Sequence, residues 1–261
     1  MATLVTFHAH PDDEAIATGG TMARAAAAGH RVVLVTATAG DRGEVAEGFL
    51  EPGETLAQRR TAELVAAAEI LGVARTEILG YRDSGMIGTP ENDDPECFWR
   101  AGVDEAAARL AAILTEEAAD VLTVYDDHGN YGHPDHIQVH RVGVRAAELA
   151  GVTRVYEATV NRDDIVRFIR QASERGLLME MPDIEGVGAD MGLPESELTT
   201  AVDVSAHLDA KRAAMAAHAS QIAETSFFLS MPPEAFAAAF STEWFRRRDT
   251  TPTVRETDLF A

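Results

Sequence analysis

Short apolar runs alternate with amphipathic stretches along the first 176 residues of the chain. Arg31–Thr38 is rich in β-branched residues and almost continuously apolar, which is typical of a strand that helices cover on both faces of a parallel sheet. Glu54–Leu71 instead repeats its apolar residues at helical spacing, and Gly72 stands where a helix C-cap is expected. The predicted strands are Leu4–Phe7, Arg31–Thr38, Thr76–Tyr81, Asp120–Tyr125 and Thr153–Val160, and the predicted helices are Asp12–Gly29, Glu54–Leu71, Val103–Ala118, His133–Ala150 and Arg162–Gly176.

The alternation of strands and helices predicts an α/β fold with a mostly parallel sheet and helices on both faces. Beyond Gly176 the pattern loosens, so we expect one domain over residues 1–261, with a core over about 1–176 and a C-terminal elaboration over about 177–261. The elements expected in this elaboration are a strand at Thr199–Val204, a helix at Ser205–Ile222, a short helix at Glu234–Phe240 and a last strand at 243–245.

Two segments are rich in turn residues and are predicted to be loops. Residues 88–95 are polar and predict an exposed loop, and 179–197 predict a mobile loop beside a pocket. The second segment contains Gly186-Val187-Gly188, which superficially matches a dinucleotide fingerprint. It neither follows a predicted strand nor opens a predicted helix, so nucleotide binding is not expected there.

Composition and charge exclude several classes of function. The 22 Lys and Arg residues face 43 Asp and Glu residues, giving a net charge of −21, so nucleic acid and anionic membranes are disfavoured as partners. The single cysteine, Cys97, excludes an intrachain disulfide and a cysteine-rich zinc site. The sequence has neither the N-terminal pattern of a signal peptide nor an apolar run near the ~20 residues that span a bilayer, so we expect a cytoplasmic protein. Homo-oligomer formation stays open.

Two His-Pro-Asp tripeptides each follow a predicted strand. One lies at residues 10–12, after the first strand, and the other at 133–135, after the fourth strand. Since sites in parallel α/β sheets form at the carboxyl ends of strands, and the fold can make these two strands neighbours, we expect the tripeptides to meet. The polar residues that they offer are His10, Asp12, Asp13, Glu14, His133, Asp135 and His136.

Such a cluster suits a catalytic metal. Two imidazoles and one carboxylate around a divalent ion, with one position left open, form the arrangement of a catalytic zinc site. Such an ion lowers the pKa of bound water to about 7 and polarises a carbonyl. If His10, Asp13 and His136 hold the metal, Asp12 remains as a free carboxylate that can act as a base. The two tripeptides therefore predict a hydrolase in which water attacks the substrate.

The other polar residues of the second motif would support this chemistry. His133, three residues before His136 on the same helical face, would polarise or protonate the substrate. Asp135 would orient an imidazole from behind the ligands. His140, four residues after His136, is expected to lie behind the ligands or in the core.

Other interpretations of the motifs stay open at this point. Either tripeptide alone is also typical of a turn followed by an N-capped helix. The same two-histidine, one-carboxylate set can hold Fe(II) for oxygen chemistry. A metal- or sugar-binding module without catalysis is the non-enzymatic alternative, and the free carboxylate of Asp12 argues against it.

These motifs resemble those of a known family. Ala9–Glu14 (AHPDDE) and Gly132–His136 (GHPDH) match the marks of the LmbE-like or PIG-L superfamily of zinc-dependent de-N-acetylases. Leu79–Met86 (LGYRDSGM) is similar to members that deacetylate the glucosamine–inositol precursor of mycothiol or cleave mycothiol conjugates. Ala15-Ile16-Ala17 departs from the polar stretch that follows the first motif in the conjugate amidases.

The resemblance implies a Rossmann-like three-layer sandwich and removal of an acetyl group from an N-acetylglucosamine-type amide by metal-bound water. A thiol-sugar conjugate is the alternative small-molecule substrate, and Fe²⁺ is the alternative to Zn²⁺. The residue roles that it implies are metal ligation by His10, Asp13 and His136, general base for Asp12, stabilisation of the oxyanion or leaving group by His133 tuned by Asp135, and substrate contacts by Arg60, Asp83, Tyr131 and, more weakly, Glu44.

Overall fold

The structure is a computed structural model that describes residues 1–174, 191–249 and 254–260. Seven strands of the described residues form one sheet. They are β1 (Thr3–His8), β2 (Arg31–Thr38), β3 (Arg75–Tyr81), β4 (Val121–Tyr125), β5 (Arg154–Thr159), β6 (Thr200–Asp203) and β7 (Thr242–Arg247). The five strands predicted before residue 176 and the two predicted after it are all present, with bounds that differ by three residues or fewer.

The strand order is β3-β2-β1-β4-β5-β7-β6. The first five strands run parallel, and β7 is antiparallel to both β5 and β6. Strands β1 and β4 are direct neighbours, with Thr6 paired to Thr123. The carboxyl ends of the two strands that precede the His-Pro-Asp tripeptides therefore lie side by side, as the sequence predicted.

Helices cover both faces of the sheet. They are α1 (Asp13–Ala17), α2 (Gly19–Ala27), α3 (Leu56–Ile70), α4 (Val103–Glu116), α5 (Gly129–Gly132), α6 (Pro134–Ala150), α7 (Arg162–Glu174), α8 (Leu208–Ala217), α9 (Phe227–Ser230) and α10 (Pro233–Phe240). Consecutive strand residues point to opposite layers: Val5 packs with α4 and α6, whereas Leu4 packs with α2, α3 and α8. The predicted three-layer α/β architecture is confirmed.

Close packing sets the position of α6 on the sheet. A Cβ at Gly143 would lie 2.3 Å from Val124 of β4, so only glycine allows this approach of helix to strand. The first turn of α6, which carries His136, is thereby held over the end of β4. Pro134 occupies the first helical position, as predicted.

The single helix predicted over Asp12–Gly29 is wrong, because it is divided at Thr18 into α1 and α2. The main-chain N–H groups of Gly20 and Thr21 donate to the carboxylate of Glu243 at 2.8 Å each. Glu243 thus caps the start of α2 from β7, more than 220 residues away. The periodicity continues across the break, so the sequence pattern alone does not reveal it.

The helix predicted over Ser205–Ile222 is shorter in the structure. A 3₁₀ turn covers Ser205–His207, α8 follows over Leu208–Ala217, and the helix ends at His218. The predicted loop at 88–95 is confirmed as a segment without buried residues, although it contains the 3₁₀ turn Pro90–Asp93.

The C-terminal part of the chain extends the sheet by adding β6 and β7. Of the loop predicted at 179–197, only residues from 191 onward are described, and Gly186-Val187-Gly188 lies outside the described residues. Among the residues that are described, no helix is both long and apolar enough to cross a membrane.

Candidate metal and substrate site

The loop after β1 positions the first group of site residues. His10 lies two residues after the end of β1, and its main-chain N–H donates to Asp13 Oδ2 at 2.9 Å. Asp13 is the first residue of α1, where a carboxylate is favoured by the helix dipole. The loop and the helix start therefore hold these two side chains on one side of the cleft.

His136 approaches from the opposite side, on the first turn of α6. Its Nε2 lies 3.3 Å from Asp13 Oδ1, and His10 Nδ1 lies 3.4 Å from Asp13 Oδ2. One nitrogen or oxygen atom from each of the three residues lies within 4.8 Å of those of the other two. The side chain of His10 is 8% exposed, that of Asp13 is 14% exposed and that of His136 is 2% exposed. The three residues predicted as ligands are thus brought together in an arrangement that could hold a metal ion.

Two further groups among the described residues have ligand atoms within the same distance of one another. They are His10, Asp83 and His133, and Asp126, Asp127 and His128.

The two nitrogens of His10 have different surroundings. Nε2 lies 3.1 Å from Asp135 Oδ2 and 3.5 Å from Asp83 Oδ1, whereas Nδ1 faces Asp13 Oδ2. If Nε2 carries the proton and donates to Asp135, then Nδ1 is the nitrogen with a free lone pair. The carboxylate of Asp135 therefore determines which ring nitrogen of His10 faces Asp13.

Asp135 is completely buried, and its carboxylate contacts an imidazole from behind the cavity wall, in line with the role expected from the sequence. Its carboxylate accepts from His10 Nε2, from Ser84 N at 2.9 Å and from the Ser84 hydroxyl. Its main-chain N–H donates to His133 Nδ1 at 3.1 Å, because His133 is the N-cap of α6 and its ring accepts an N–H of the first turn. Burial lowers the pKa of His133, the charge of Asp135 opposes that effect, and the expectation that Asp135 tunes this ring stays a prediction.

This contact also defines the state of His133. Since Nδ1 accepts a hydrogen bond, the neutral ring carries its proton on Nε2. Nε2 has no hydrogen-bond partner among the described residues, and the His133 side chain lines the cavity. Burial first, and then the charges of His10 and His136, lower the pKa of His133 to about 4, against the opposing effect of the Asp135 and Asp83 carboxylates. A neutral N–H donor therefore faces the cavity.

The electrostatics of the cluster favour a cation. Burial opposes the charge on His10, yet the carboxylates of Asp83, Asp13 and Asp135 raise its pKa well above the usual value. Burial would also raise the pKa of Asp13, but the His136 and His10 rings hold it well below its usual range. Several carboxylates but few permanently charged basic side chains lie in this cluster, so a positive ion is favoured there.

Asp12 lies next to Asp13 in the sequence and contacts Arg60. Its backbone has φ 110° and ψ −35°, outside the conformations that L-residues commonly adopt. Arg60 Nη2 lies 3.3 Å from Asp12 Oδ2, and the carboxylate is 19% exposed. Desolvation raises the pKa of Asp12 to about 7, while the Arg60 guanidinium acts in the opposite direction.

Arg60 was expected to contact substrate hydroxyl groups. It lines the cavity and is only 4% exposed, and its guanidinium donates to the carbonyl oxygens of Gly40 at 2.9 Å and Pro11 at 2.6 Å. Much of its hydrogen-bonding capacity is therefore directed to the loop that carries Asp12.

These residues surround a cavity of about 810 Å³. Every site residue predicted from the sequence lines it except Asp135, which lies behind the wall. Tyr131 is 46% exposed, and its hydroxyl lies 3.4 Å from His136 Nε2. Glu44 is also exposed. Asp83 is buried, and its Oδ1 also accepts from Gly85 N at 2.9 Å.

His140 lies outside the cavity, with Nδ1 3.0 Å from the Tyr125 carbonyl oxygen, as expected of a residue behind the predicted ligands.

Several neighbours of the site were missed by the sequence analysis. Tyr125, at the end of β4, stacks on His136 with ring centroids 4.4 Å apart and bonds His8 Nδ1 at 2.9 Å. Ser84 holds Asp135, and its position next to Asp83 in the LGYRDSGM stretch was a signal for it. His218, which was not among the site residues predicted from the sequence, contacts Glu14 of the first motif at 2.6 Å.

Comparison with known proteins agrees with these motifs. The family model described as "PIG-L: GlcNAc-PI de-N-acetylase" matches residues 5–147, which include both tripeptides. A 1D-myo-inositol 2-acetamido-2-deoxy-alpha-D-glucopyranoside deacetylase from Acidothermus cellulolyticus is 42% identical, over 100% of this chain and 95% of the relative. A protein of the same name from Thermomonospora curvata is 41% identical, over 93% of this chain and 89% of the relative.

A solved structure has the same fold at lower sequence identity. The N,N'-diacetylchitobiose deacetylase from Pyrococcus horikoshii is 22% identical, with a TM-score of 0.59 over 94% of this chain and 83% of that protein. At this level of identity the comparison supports the fold alone.

Proposed function

Since the chain belongs to the PIG-L family of GlcNAc-PI de-N-acetylases, we propose that it is a metal-dependent N-deacetylase acting on a 2-acetamido sugar joined to inositol. The observation that carries the proposal is the convergence of His10, Asp13 and His136 on one point, with Asp12 beside them at the cavity wall. The substrate class is the one in the names of the relatives that match the whole chain.

The distances around Asp13 support a metal at this point. Asp13 Oδ2 lies 3.4 Å from His10 Nδ1, and Asp13 Oδ1 lies 3.3 Å from His136 Nε2. One ligand atom of each of the three residues lies within 4.8 Å of those of the other two, so these residues would hold the ion. Two imidazole nitrogens and one carboxylate oxygen form a donor set that suits zinc and also accepts Fe²⁺.

The other two candidate groups fit a metal less well. The group with Asp83 and His133 would use His10 Nε2, which is engaged by Asp135. The group at 126–128 has an exposed member, Asp127. We therefore assign the metal to His10, Asp13 and His136.

The side chains around this point suit hydrolysis of an amide. When bound, the ion supplies Lewis acidity that polarises the amide carbonyl and lowers the pKa of a water molecule. Asp12 then accepts the proton of the attacking water as general base. The Nε2–H of His133 donates to the oxygen of the tetrahedral intermediate, which is the role of an oxyanion-hole donor.

Proton transfer to the leaving amine completes the reaction. Asp12, once protonated, can return this proton, so the net reaction converts an amide and water into a carboxylic acid and an amine. Asp135 and Ser84 act indirectly, because they hold the His10 ring in one orientation.

The cavity is large enough for a disaccharide-sized substrate. Its volume of about 810 Å³ lies within the range of small-molecule sites, ~300–1,000 Å³. Asp83, Glu44, Arg42 and Gln221 line it and can bond sugar or inositol hydroxyl groups. Arg60 contributes to this wall, although it also holds the Asp12 loop.

A second candidate substrate is an N-acyl sugar that carries a thiol conjugate. It is favoured by the apolar side chains that line part of the same cavity, which are Ile16, Met86, Met191 and Phe228. These side chains would contact the apolar part of a conjugate, while the amide still lies at the metal.

An amine-release assay tests both candidates. Purified chain is stripped with a chelator, reloaded with zinc or Fe²⁺, and incubated with 2-acetamidoglucosyl-inositol, diacetylchitobiose or a thioether-conjugated N-acyl sugar. We expect fluorescamine-reactive amine from the inositol glycoside with metal and none without it. If the chain binds one zinc but releases amine from none of these amides, it is a binding module and the proposal is wrong.

A further inference from the structure

The backbone of Asp12 is held from both sides. Its φ of 110° is one that a residue with a Cβ rarely adopts, so the surrounding contacts must maintain it. On one side, Arg60 Nη2 donates to the Pro11 carbonyl oxygen at 2.6 Å. On the other, the Asp12 N–H donates to Glu14 Oε2 at 2.9 Å. The direction of the Asp12 carboxylate depends on these contacts.

Glu14 is itself fixed by a residue from the C-terminal part of the chain. Its other oxygen, Oε1, lies 2.6 Å from His218 Nε2, and both side chains are completely buried. His218 is separated from Glu14 by 204 positions in the sequence and stands just after α8. A buried pair therefore connects the C-terminal part of the chain to the Asp12 backbone.

The turn that carries His218 is anchored on the helix that carries Arg60. Ser220 donates to the Glu63 carboxylate through its N–H at 2.9 Å and its hydroxyl at 2.6 Å. Arg60 and Glu63 are three residues apart on α3, so one face of this helix supports both sides of Asp12. Burial lowers the pKa of His218, but the carboxylates of Glu14, Asp12 and Glu63 raise it above the usual value, in keeping with an ion pair.

We infer that Glu14 and His218 are positioning residues, which hold the Asp12 main chain so that its carboxylate faces the reacting atoms. The inference rests on the proposed function, in which Asp12 is the general base. An error of about 1 Å in the placement of a reacting group can cost 10²-fold in rate, so loss of the Asp12 N–H contact is expected to lower kcat.

The chain offers a matched control. Lys211 and Glu243, both in the C-terminal part of the chain, form a second buried ion pair, and each also bonds the main chain of an N-terminal helix. Glu243 accepts two main-chain N–H groups of α2, and Lys211 donates to the Ile16 carbonyl oxygen at 2.7 Å. Neither side chain contacts Asp12. Loss of this pair damages the same junction without touching the base.

The test compares three variants of the full-length, zinc-loaded chain. The double substitution Glu14→Met/His218→Leu replaces the pair with apolar side chains of similar size, which is often tolerated for stability. Glu14→Gln keeps an acceptor for the Asp12 N–H. Lys211→Met/Glu243→Met is the control. Each is assayed for kcat, KM, bound zinc and hydrogen exchange at the Asp12 amide, well below its melting temperature.

We expect Glu14→Met/His218→Leu to lower kcat by about 10–100-fold, with little change in KM, one zinc per chain and faster exchange at the Asp12 amide. Glu14→Gln should stay within several-fold of the wild-type kcat. The control should lower the melting temperature but keep a wild-type kcat. These differences separate positioning from a merely structural role.

Two results would overturn the inference. One is a wild-type kcat in Glu14→Met/His218→Leu, and the other is a Glu14→Gln variant as impaired as the double substitution. If the double variant does not fold, His218→Asn is used: it leaves Glu14 in place, and a wild-type kcat there also overturns the inference. If the wild type releases no amine, the proposed function fails. Exchange at the Asp12 amide then still decides whether Glu14 and His218 hold this backbone, because it needs no substrate.

Discussion

The strained backbone of Asp12 allows its catalytic and conformational effects to be separated with two substitutions. Asp12→Asn and Asp12→Gly both remove the carboxylate and its ion pair with Arg60, so they share that cost. They differ at φ 110°, where asparagine keeps the strain and glycine relieves it.

The expected sizes follow from this difference. Relief of strain is worth about 1–3 kcal/mol, and the more flexible unfolded chain of the glycine variant takes back about 0.4–1 kcal/mol. Asp12→Gly should therefore be more stable than Asp12→Asn by about 1 kcal/mol, or roughly 2–4 °C in melting temperature for a chain of this size. Both should lose about 10²–10⁴-fold in kcat, the usual contribution of a general base.

The assay measures kcat by amine release, zinc by elemental analysis and melting temperature by circular dichroism on the same preparations. Both variants should retain zinc, since Asp12 is not one of the proposed ligands. A wild-type kcat in Asp12→Asn would refute the assignment of the base. A glycine variant that melts below the asparagine variant would refute the claim that this backbone is strained.

Other predictions concern the metal and its support. His136→Ala should abolish stoichiometric zinc binding, whereas His140→Ala, which alters a residue outside the cavity, should retain it; equal zinc contents would remove His136 from the ligand set. Ser84→Ala removes the hydroxyl donor to Asp135, leaves the main-chain N–H donor in place, and should weaken zinc binding by about 10-fold in competition with a chelator; an unchanged affinity would show that this hydroxyl is dispensable. Removal of zinc held at 1,000 times its Kd should lower stability by about 4 kcal/mol, visible as a lower melting temperature that zinc restores. Glu243→Ala leaves a buried lysine unpaired and should destabilise the chain by about 3–5 kcal/mol in urea unfolding, with a smaller loss arguing that water compensates the charge.

The sequence predicted the general position of the site because two local patterns were sufficient. Apolar runs marked β1 and β4, and the rule that sites form at the carboxyl ends of parallel strands brought His10 and His136 together. The position of His136 also has a local basis, since its spacing from Pro134 places the histidine on the first helical turn.

The partners of these residues were not predictable in the same way. Asp135 was expected to tune His133, and the sequence did not indicate that its carboxylate also bonds His10, 125 positions away. Arg60 was expected to contact the substrate, and the sequence did not indicate that its guanidinium also bonds the carbonyl oxygen of Pro11. Such contacts depend on how helices from distant parts of the chain approach each other, and hydrophobic periodicity carries no information about them.

By itself, the sequence determined the α/β fold, the two motifs and the family to which they belong, because all of these are encoded in local patterns of residue type. Only the tertiary structure decided which nitrogen of His10 faces Asp13, where the first helix divides, and that His218 supports the first motif through Glu14. The physical reason is the same for all three. Each depends on a buried polar group that must find a hydrogen-bond partner, and the chain supplies that partner from a distant segment that packing alone brings into contact.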